Sequence, residues 1–294
     1  MREDPAATDL AVTPSEIVVP VGDGPAARRA LAPAARLARA LRLRIHLLTV
    51  VRGDIAPHAH VRLLEELDEL RRAVERVYPE IRPVHTRLVD HVDLVDALAD
   101  EYPSGLVVLG TDRAALGALE ASVVTVIRGL PPTRSIVVVG PSVDPGWRPG
   151  PVVVTLDGSA VAEAALAPAV GWAELVGAPL VVLRVLPRVI GDHLEERDGS
   201  VEGATRYLRR IAEQLRATGL DARGLLLHAD DPVTSIVDYL THHECALAVM
   251  TTHARTGISR AALGSVALAV AATSPCPIRV VRTSPTTQLA LPAG

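Results

Sequence analysis

The sequence predicts an α/β protein made of two tandem, doubly wound parallel-sheet domains, and three observations carry that prediction. Short runs rich in Val, Ile and Leu alternate with longer segments of helical periodicity, the βαβα order of a doubly wound sheet. The runs lack the strict apolar–polar alternation of a half-exposed strand, so both faces are expected under helices, as in a parallel sheet. The chain also repeats itself. IVVPVGDGPAARRALAPAARLARALRLRIHLLTV (Ile17–Val50) lies on VVVTLDGSAVAEAALAPAVGWAELVGAPLVVLRV (Val152–Val185) without a gap, and ALAPA recurs at Ala30–Ala34 and Ala165–Ala169. Further on, VVLGTDR (Val107–Arg113) meets LAVMTTHAR (Leu247–Arg255), and SIVVVG (Ser135–Gly140) meets PIRVVR (Pro277–Arg282). A period of this length is a duplicated domain rather than a solenoid repeat.

In the second half, strands are expected near Val152–Leu156, Leu180–Leu186, Arg223–His228, Leu247–Thr251 and Ile278–Arg282. Helices fill the gaps at Ser159–Leu175, Glu196–Ala217, Pro232–His242 and Ser265–Ala272. Asp231-Pro232 is a helix start, an N-cap acceptor followed by proline at the first helical position. The Pro/Gly-rich stretch GPSVDPGWRPG (Gly140–Gly150) separates the halves. The expected division is a disordered lead at 1–15, a first domain at 16–140, a linker at 141–150, a second domain at 151–283 and a tail at 284–294. The lead has no apolar core of a signal peptide.

Of the 294 residues, 49% are apolar and none is Phe, so the core must be built from Ala, Val and Leu. The net charge of −4, with neither a basic stripe nor aromatics to stack on bases, argues against nucleic-acid binding. All 30 basic residues are Arg, which excludes a Schiff-base lysine and a Walker-type lysine. No apolar run reaches the roughly 18 residues of a membrane span. Two cysteines, Cys245 and Cys276, form neither a metal spacing nor a disulfide framework, and a reducing, cytoplasmic setting is expected.

Open parallel sheets bind ligands beyond the carboxyl ends of their strands. In the second half that places Asp157-Gly158-Ser159, Val185-Leu186 and the Thr251–Ser265 loop at the candidate site. A loop leading to a helix N-terminus presents unpaired N–H groups and the positive end of the dipole to an anion. These segments resemble the universal stress protein family, in its tandem two-domain form, over Glu16–Arg282. The resemblance implies a Rossmann-like fold of the adenine nucleotide alpha hydrolase type. Its nucleotide loop reads Gly, two residues, Gly, nine residues, then Gly with Ser or Thr, accompanied by an Asp closing the first strand and a Val ending the second.

Carried over residue by residue, the resemblance implies nucleotide binding by Asp157, Val185, Thr251, Ala254, Gly264, Ser265 and Val266. Asp157 and Val185 would face the adenosine, and Gly264, Ser265 and Val266 the phosphates. Thr251 and Ala254 stand where the family has glycine, and a β-branched residue resists the positive φ and close approach that glycine permits. Thr251 and Thr252 supply hydroxyls, and Arg255 a cation for a phosphate. The first half departs further. Gly22 replaces the Asp with Asp23 one place on, Arg113 takes the second glycine position after Gly110, and Ala121-Ser122 replaces Gly-Ser, while Val50 is kept. That half reads as the weaker nucleotide site and as a structural or pairing domain.

Other clusters have plainer readings. Asp157 caps the following helix as readily as it binds a ligand. His242-His243 with Cys245 and His253 lacks an i, i+4 pair facing one way and reads as a surface loop, as do His58 and His60 ahead of a charged helix. Cys276 between two prolines has no base and reads as a small buried apolar residue. The Arg-rich segments 28–44 and 62–76 read as solvated helix faces. The expected function is a stress-response module that binds ATP, with Mg²⁺ arriving on the nucleotide, and that is not an enzyme. The alternative is a nucleotide-free interaction protein, a homodimer or an intramolecular pairing of domains through the final strands Ser135–Val139 and Pro277–Val281.

Overall fold

The computed structural model describes residues 14–22, 24–53, 55–81, 83–112, 121–144, 150–188, 201–252 and 264–282. Contacts divide the chain into two units, one comprising Met1–Arg148 with Ala271–Arg279, the other Pro149–Val270 with Val280–Gly294.

The first unit runs β1 (Glu16–Pro20), α1 (Pro25–Leu41), β2 (Arg44–Val51), α2 (Pro57–Val77), β3 (His85–Asp90), α3 (Leu94–Glu101), β4 (Leu106–Gly110), α4 (Ala121–Gly129) and β5 (Ile136–Val139). Its strands lie in the order β3-β2-β1-β4-β5, with all the described pairings parallel. Ile17, Val18, Val19, Leu106, Val107, Val108 and all of β5 are fully buried, which is why these runs read as continuous apolar segments. His58 and His60 fall inside α2 rather than ahead of it, because Pro57 occupies the first helical turn, where its missing N–H has no partner to lose. Along α2, Arg62 pairs with Glu66, and Arg71 with Asp68 and Glu75, the i, i+3 and i, i+4 pairs expected of a solvated face.

The second unit runs β6 (Val152–Thr155), α5 (Ala160–Glu163), α6 (Leu166–Val176), β7 (Leu180–Leu186), α7 (Val201–Ala217), β8 (Ala222–His228), α8 (Pro232–His242) and β9 (Leu247–Thr251); α9 (Ser265–Thr273) and β10 (Ile278–Val281) follow in the chain, each with residues assigned to both units. Strands β9-β6-β7-β8 lie side by side, and the pairings of β6 with β7 and β9, and of β7 with β8, are parallel. Asp231 caps α8 as its sequence predicts, accepting from Val233 N at 3.0 Å and Thr234 N at 3.3 Å. The hydrogen bond from the Thr234 side chain, with those from the backbone, holds the Asp231 carboxyl below the usual carboxylate range.

One expected helix is two. The segment Ser159–Leu175 divides into α5 and α6 at Ala164–Ala165, where Ala164 N and Ala165 N reach back three residues to Val161 O and Ala162 O. Pro168 lacks the N–H that would bond Ala164 O, and its ring crowds that carbonyl. No described helix is long and apolar enough to cross a membrane.

Candidate functional site

In the second unit, β6 ends in the turn Asp157-Gly158-Ser159. Asp157 is exposed, and its Oδ1 accepts from Ser159 N at 2.8 Å, while Ser159 Oγ accepts from Ala162 N at 3.1 Å and caps α5. The helix cap is therefore Ser159, and Asp157 closes the turn before it. Gly158 takes φ +89°, a left-handed conformation that suits glycine.

Register sets the neighbours of this turn. Val154 lies opposite Val182 on β7 and Val249 on β9, so the parallel ladders carried forward bring Asp157 level with Val185 and Thr252. At the end of β9, Thr251 is half-buried and Thr252 buried. Thr252 N donates to Val281 O at 3.0 Å, and Thr252 O accepts from Gly264 N at 2.7 Å. That last bond ties the strand end to the start of α9, although eleven residues of sequence lie between them. Ser265 is exposed in the first turn of α9 and Val266 half-buried beside it. Asp157, Val185, Thr251, Gly264, Ser265 and Val266 thus share the carboxyl edge of one sheet, whereas Ala254, with His253 and Arg255, lies outside the described residues. Among the described residues the Thr252 Oγ1 is buried without a hydrogen-bond partner. An orphaned donor beside a helix N-terminus fits an anionic oxygen.

The corresponding edge of the first unit opens into a cavity of about 480 Å³. Val21, Gly22, Val50, Gly110, Asp112 and Ser122 line it, and Arg52 stands at its wall. Its volume lies within the roughly 300–1,000 Å³ of small-molecule sites. Asp112 pairs with Arg29 of α1. Thr111 repeats the geometry of Thr252, with its N donating to Val139 O at 3.0 Å, but its Oγ1 is satisfied by Asp112 O at 3.1 Å. Gly110 has a packing role, because a Cβ there would stand 1.9 Å from Ala26 O. Asp23 and Arg113 lie outside the described residues.

Among the described residues no group of His, Cys, Asp and Glu is arranged to hold a metal ion. His242 and His243 each turn Nδ1 to the carbonyl four residues back, Asp238 O at 2.7 Å and Tyr239 O at 2.9 Å. Cys276 is 2% exposed, with its Sγ 3.5 Å from Ser274 Oγ.

Arg184 of β7 was not singled out by the motif, although a lone charge inside LVVLRVL is a visible signal. Its guanidinium lies against Gly158 and 5.6 Å from the centre of the Tyr207 ring. Tyr207 in turn donates to Glu163 Oε1 at 2.8 Å, and burial together with that bond pushes the phenol pKa far up.

Comparison with known proteins follows the same lines. A universal stress protein of Archaeoglobus fulgidus DSM 4304 is 16% identical with a TM-score of 0.67, covering 92% of this chain and 99% of its own. A putative universal stress protein of Pseudomonas aeruginosa UCBPP-PA14 is 18% identical with a TM-score of 0.57, covering 92% of this chain and 93% of its own. A universal stress protein of Archaeoglobus fulgidus solved in complex with dAMP is 26% identical over 45% of this chain and 97% of its own, with a TM-score of 0.35. No curated protein sequence matches the chain. Residues 150–282, the half that carries Asp157, Thr252 and Gly264, match the model of the universal stress protein family.

Proposed function

We propose that the chain is a stress-response module that binds an adenine nucleotide in its second half and has no strong catalytic activity of its own. The observation that carries this reading is the closure of β9 onto α9 through Gly264 N and Thr252 O, with the Thr252 hydroxyl buried and unpaired beside the helix start. The family match of the same half supports it. Phosphates would lie at Gly264, Ser265 and Val266, where the N–H groups opening α9 lack intrahelical acceptors. Asp157 would use the carboxylate oxygen left over from its turn to hold the ribose, and Val185 would give an apolar face to the base. Mg²⁺ would arrive with the nucleotide, since it is bound chiefly through phosphates and water. Cys245 and Cys276, buried as thiols, suit a cytoplasmic setting.

The test is to denature the purified protein, assay the supernatant for ATP and ADP, and titrate MgATP back by calorimetry. Asp157→Ala and Gly264→Val are each expected to weaken binding about tenfold, or about 1.4 kcal/mol. No released nucleotide and no heat at millimolar MgATP would overturn the reading.

A second reading has its own observation. The Arg279 guanidinium donates to Ile136 O at 3.3 Å and to Ser135 Oγ at 3.1 Å, so the start of the final strand is fastened to β5 within the first unit. With it goes the reading of a nucleotide-free protein that acts through surfaces rather than a nucleotide. A chain that sediments as a monomer and ignores MgATP favours this reading over the first.

A further inference from the structure

Arg184 is half-buried, yet among the described residues it makes no hydrogen bond and no ion pair, and its Nε is buried without an acceptor. Arg134 Nε and Arg279 Nε are likewise buried without an acceptor, but other arginines are bonded through their remaining guanidinium nitrogens. Arg134 donates to Tyr102 O and Leu98 O, Arg279 to Ile136 O and Ser135 Oγ, and Arg71 to Asp68 and Glu75. Removing a guanidinium from water without a partner is costly, so its retention points to a partner supplied from outside the chain.

The guanidinium is also held in place. Its Cζ, Nη1 and Nη2 all lie 2.9 Å from the position a Cβ would take on Gly158, so the plane rests flat on the glycine backbone. The Tyr207 ring flanks the cation, and Glu163 fixes the Tyr207 hydroxyl. Arg210 approaches the same ring at 5.7 Å and adds positive charge. The equivalent residue of the first half, Thr49, instead donates to Val21 O at 3.0 Å and closes its own turn. The second half has given up that bond for a cation stacked beneath the turn that follows β6.

We propose that Arg184 is an anion anchor, the binding site for a phosphate or carboxylate group of a small ligand at the carboxyl edge of the second unit. The stacked plane leaves the terminal nitrogens as a fork, the geometry that binds such oxyanions in bidentate fashion. Arg184 and Val185 are successive residues of β7 and point to opposite faces of the sheet. The anchor lies beside the turn that carries Asp157 and rests on different residues from the proposed phosphate contacts at Gly264, Ser265 and Val266.

The experiment measures thermal unfolding and the Arg Nε–H NMR resonances of the full chain in chloride, inorganic phosphate and acetate at matched ionic strength. In the wild type, phosphate or acetate is expected to raise Tm by several degrees and to move one Arg resonance that is missing from Arg184→Met. The anion giving the larger shift identifies the ligand group. Arg184→Met keeps its Tm in chloride, because no hydrogen bond is lost, and loses the anion effect. Tyr207→Phe keeps the ring and retains it. An equal anion effect in wild type and Arg184→Met, no effect in the wild type, or a Tm loss in chloride from both Arg184→Met and Arg184→Lys would overturn the proposal. Loss of MgATP binding by Gly264→Val leaves the phosphate effect intact, so the two readings fail separately.

Discussion

In the first half the chain after β1 forms one helix, Pro25–Leu41, whereas its repeat in the second half breaks into Ala160–Glu163 and Leu166–Val176. The same proline stands in both, as Pro33 inside α1 and Pro168 in the first turn of α6. The difference originates across the sheet edge. Gly110 lets Ala26 O approach to where a Cβ would be 1.9 Å away, so α1 packs tightly on β4 and stays continuous through its proline. In the second half Thr251 occupies the position equivalent to Gly110, and Val161 that equivalent to Ala26. The helix yields where Pro168 interrupts its bonding. The two edges differ accordingly. One opens into a cavity, and the other draws the strand end and α9 together.

The largest effect expected from breaking this comparison is at Gly110. Gly110→Val forces a side chain into the Ala26 backbone and should destabilise the first unit by about 3 kcal/mol or more, while Thr251→Gly costs the second about 1 kcal/mol. Chemical denaturation of the two variants checks this, and equal losses would remove the packing explanation. The prolines come next. Pro33→Ala restores an interior helical bond and should stabilise by about 1 kcal/mol more than Pro168→Ala, whose ring sits in a first turn that tolerates it.

The smallest effect is a pH dependence confined to the first unit. His46 of β2 is stacked on His85 of β3 at 4.8 Å, near Tyr102 and with Nε2 3.1 Å from Glu16. Burial lowers its pKa, against the attraction of Glu16, and His85, Arg44 and Arg87 lower it further. A folded pKa below the unfolded value means the unfolded state takes up the proton first. The contribution of His46 is therefore complete above the ordinary histidine range and lost as pH falls through the folded pKa. Melting from pH 8 to pH 5 should show the first unit weakening, and His46→Gln should flatten the slope.

Strand positions were legible because burial on both faces writes itself as an apolar run, and Asp231-Pro232 was legible because capping is local. The strand Leu247–Thr251 and the helix Pro232–His242 coincide with their expected spans for these reasons. Asp157, Val185 and Gly264 could be named as candidates because the motif they resemble is a set of residue types at fixed spacing. Arg184 was missed because its significance is an absent partner, which no spacing records.

The sequence by itself determined the repeat and the order of strands and helices along each half, since periodicity, turn chemistry and capping act over a few residues. Only the tertiary structure decided which proline breaks a helix and, among the described residues, that the Thr252 hydroxyl is orphaned and that Arg184 makes no hydrogen bond. Those outcomes depend on how close residues far apart in the chain come, as Gly110 to Ala26 or Thr252 to Gly264. Distances of that kind are set by packing of the whole unit and are not encoded at any one position.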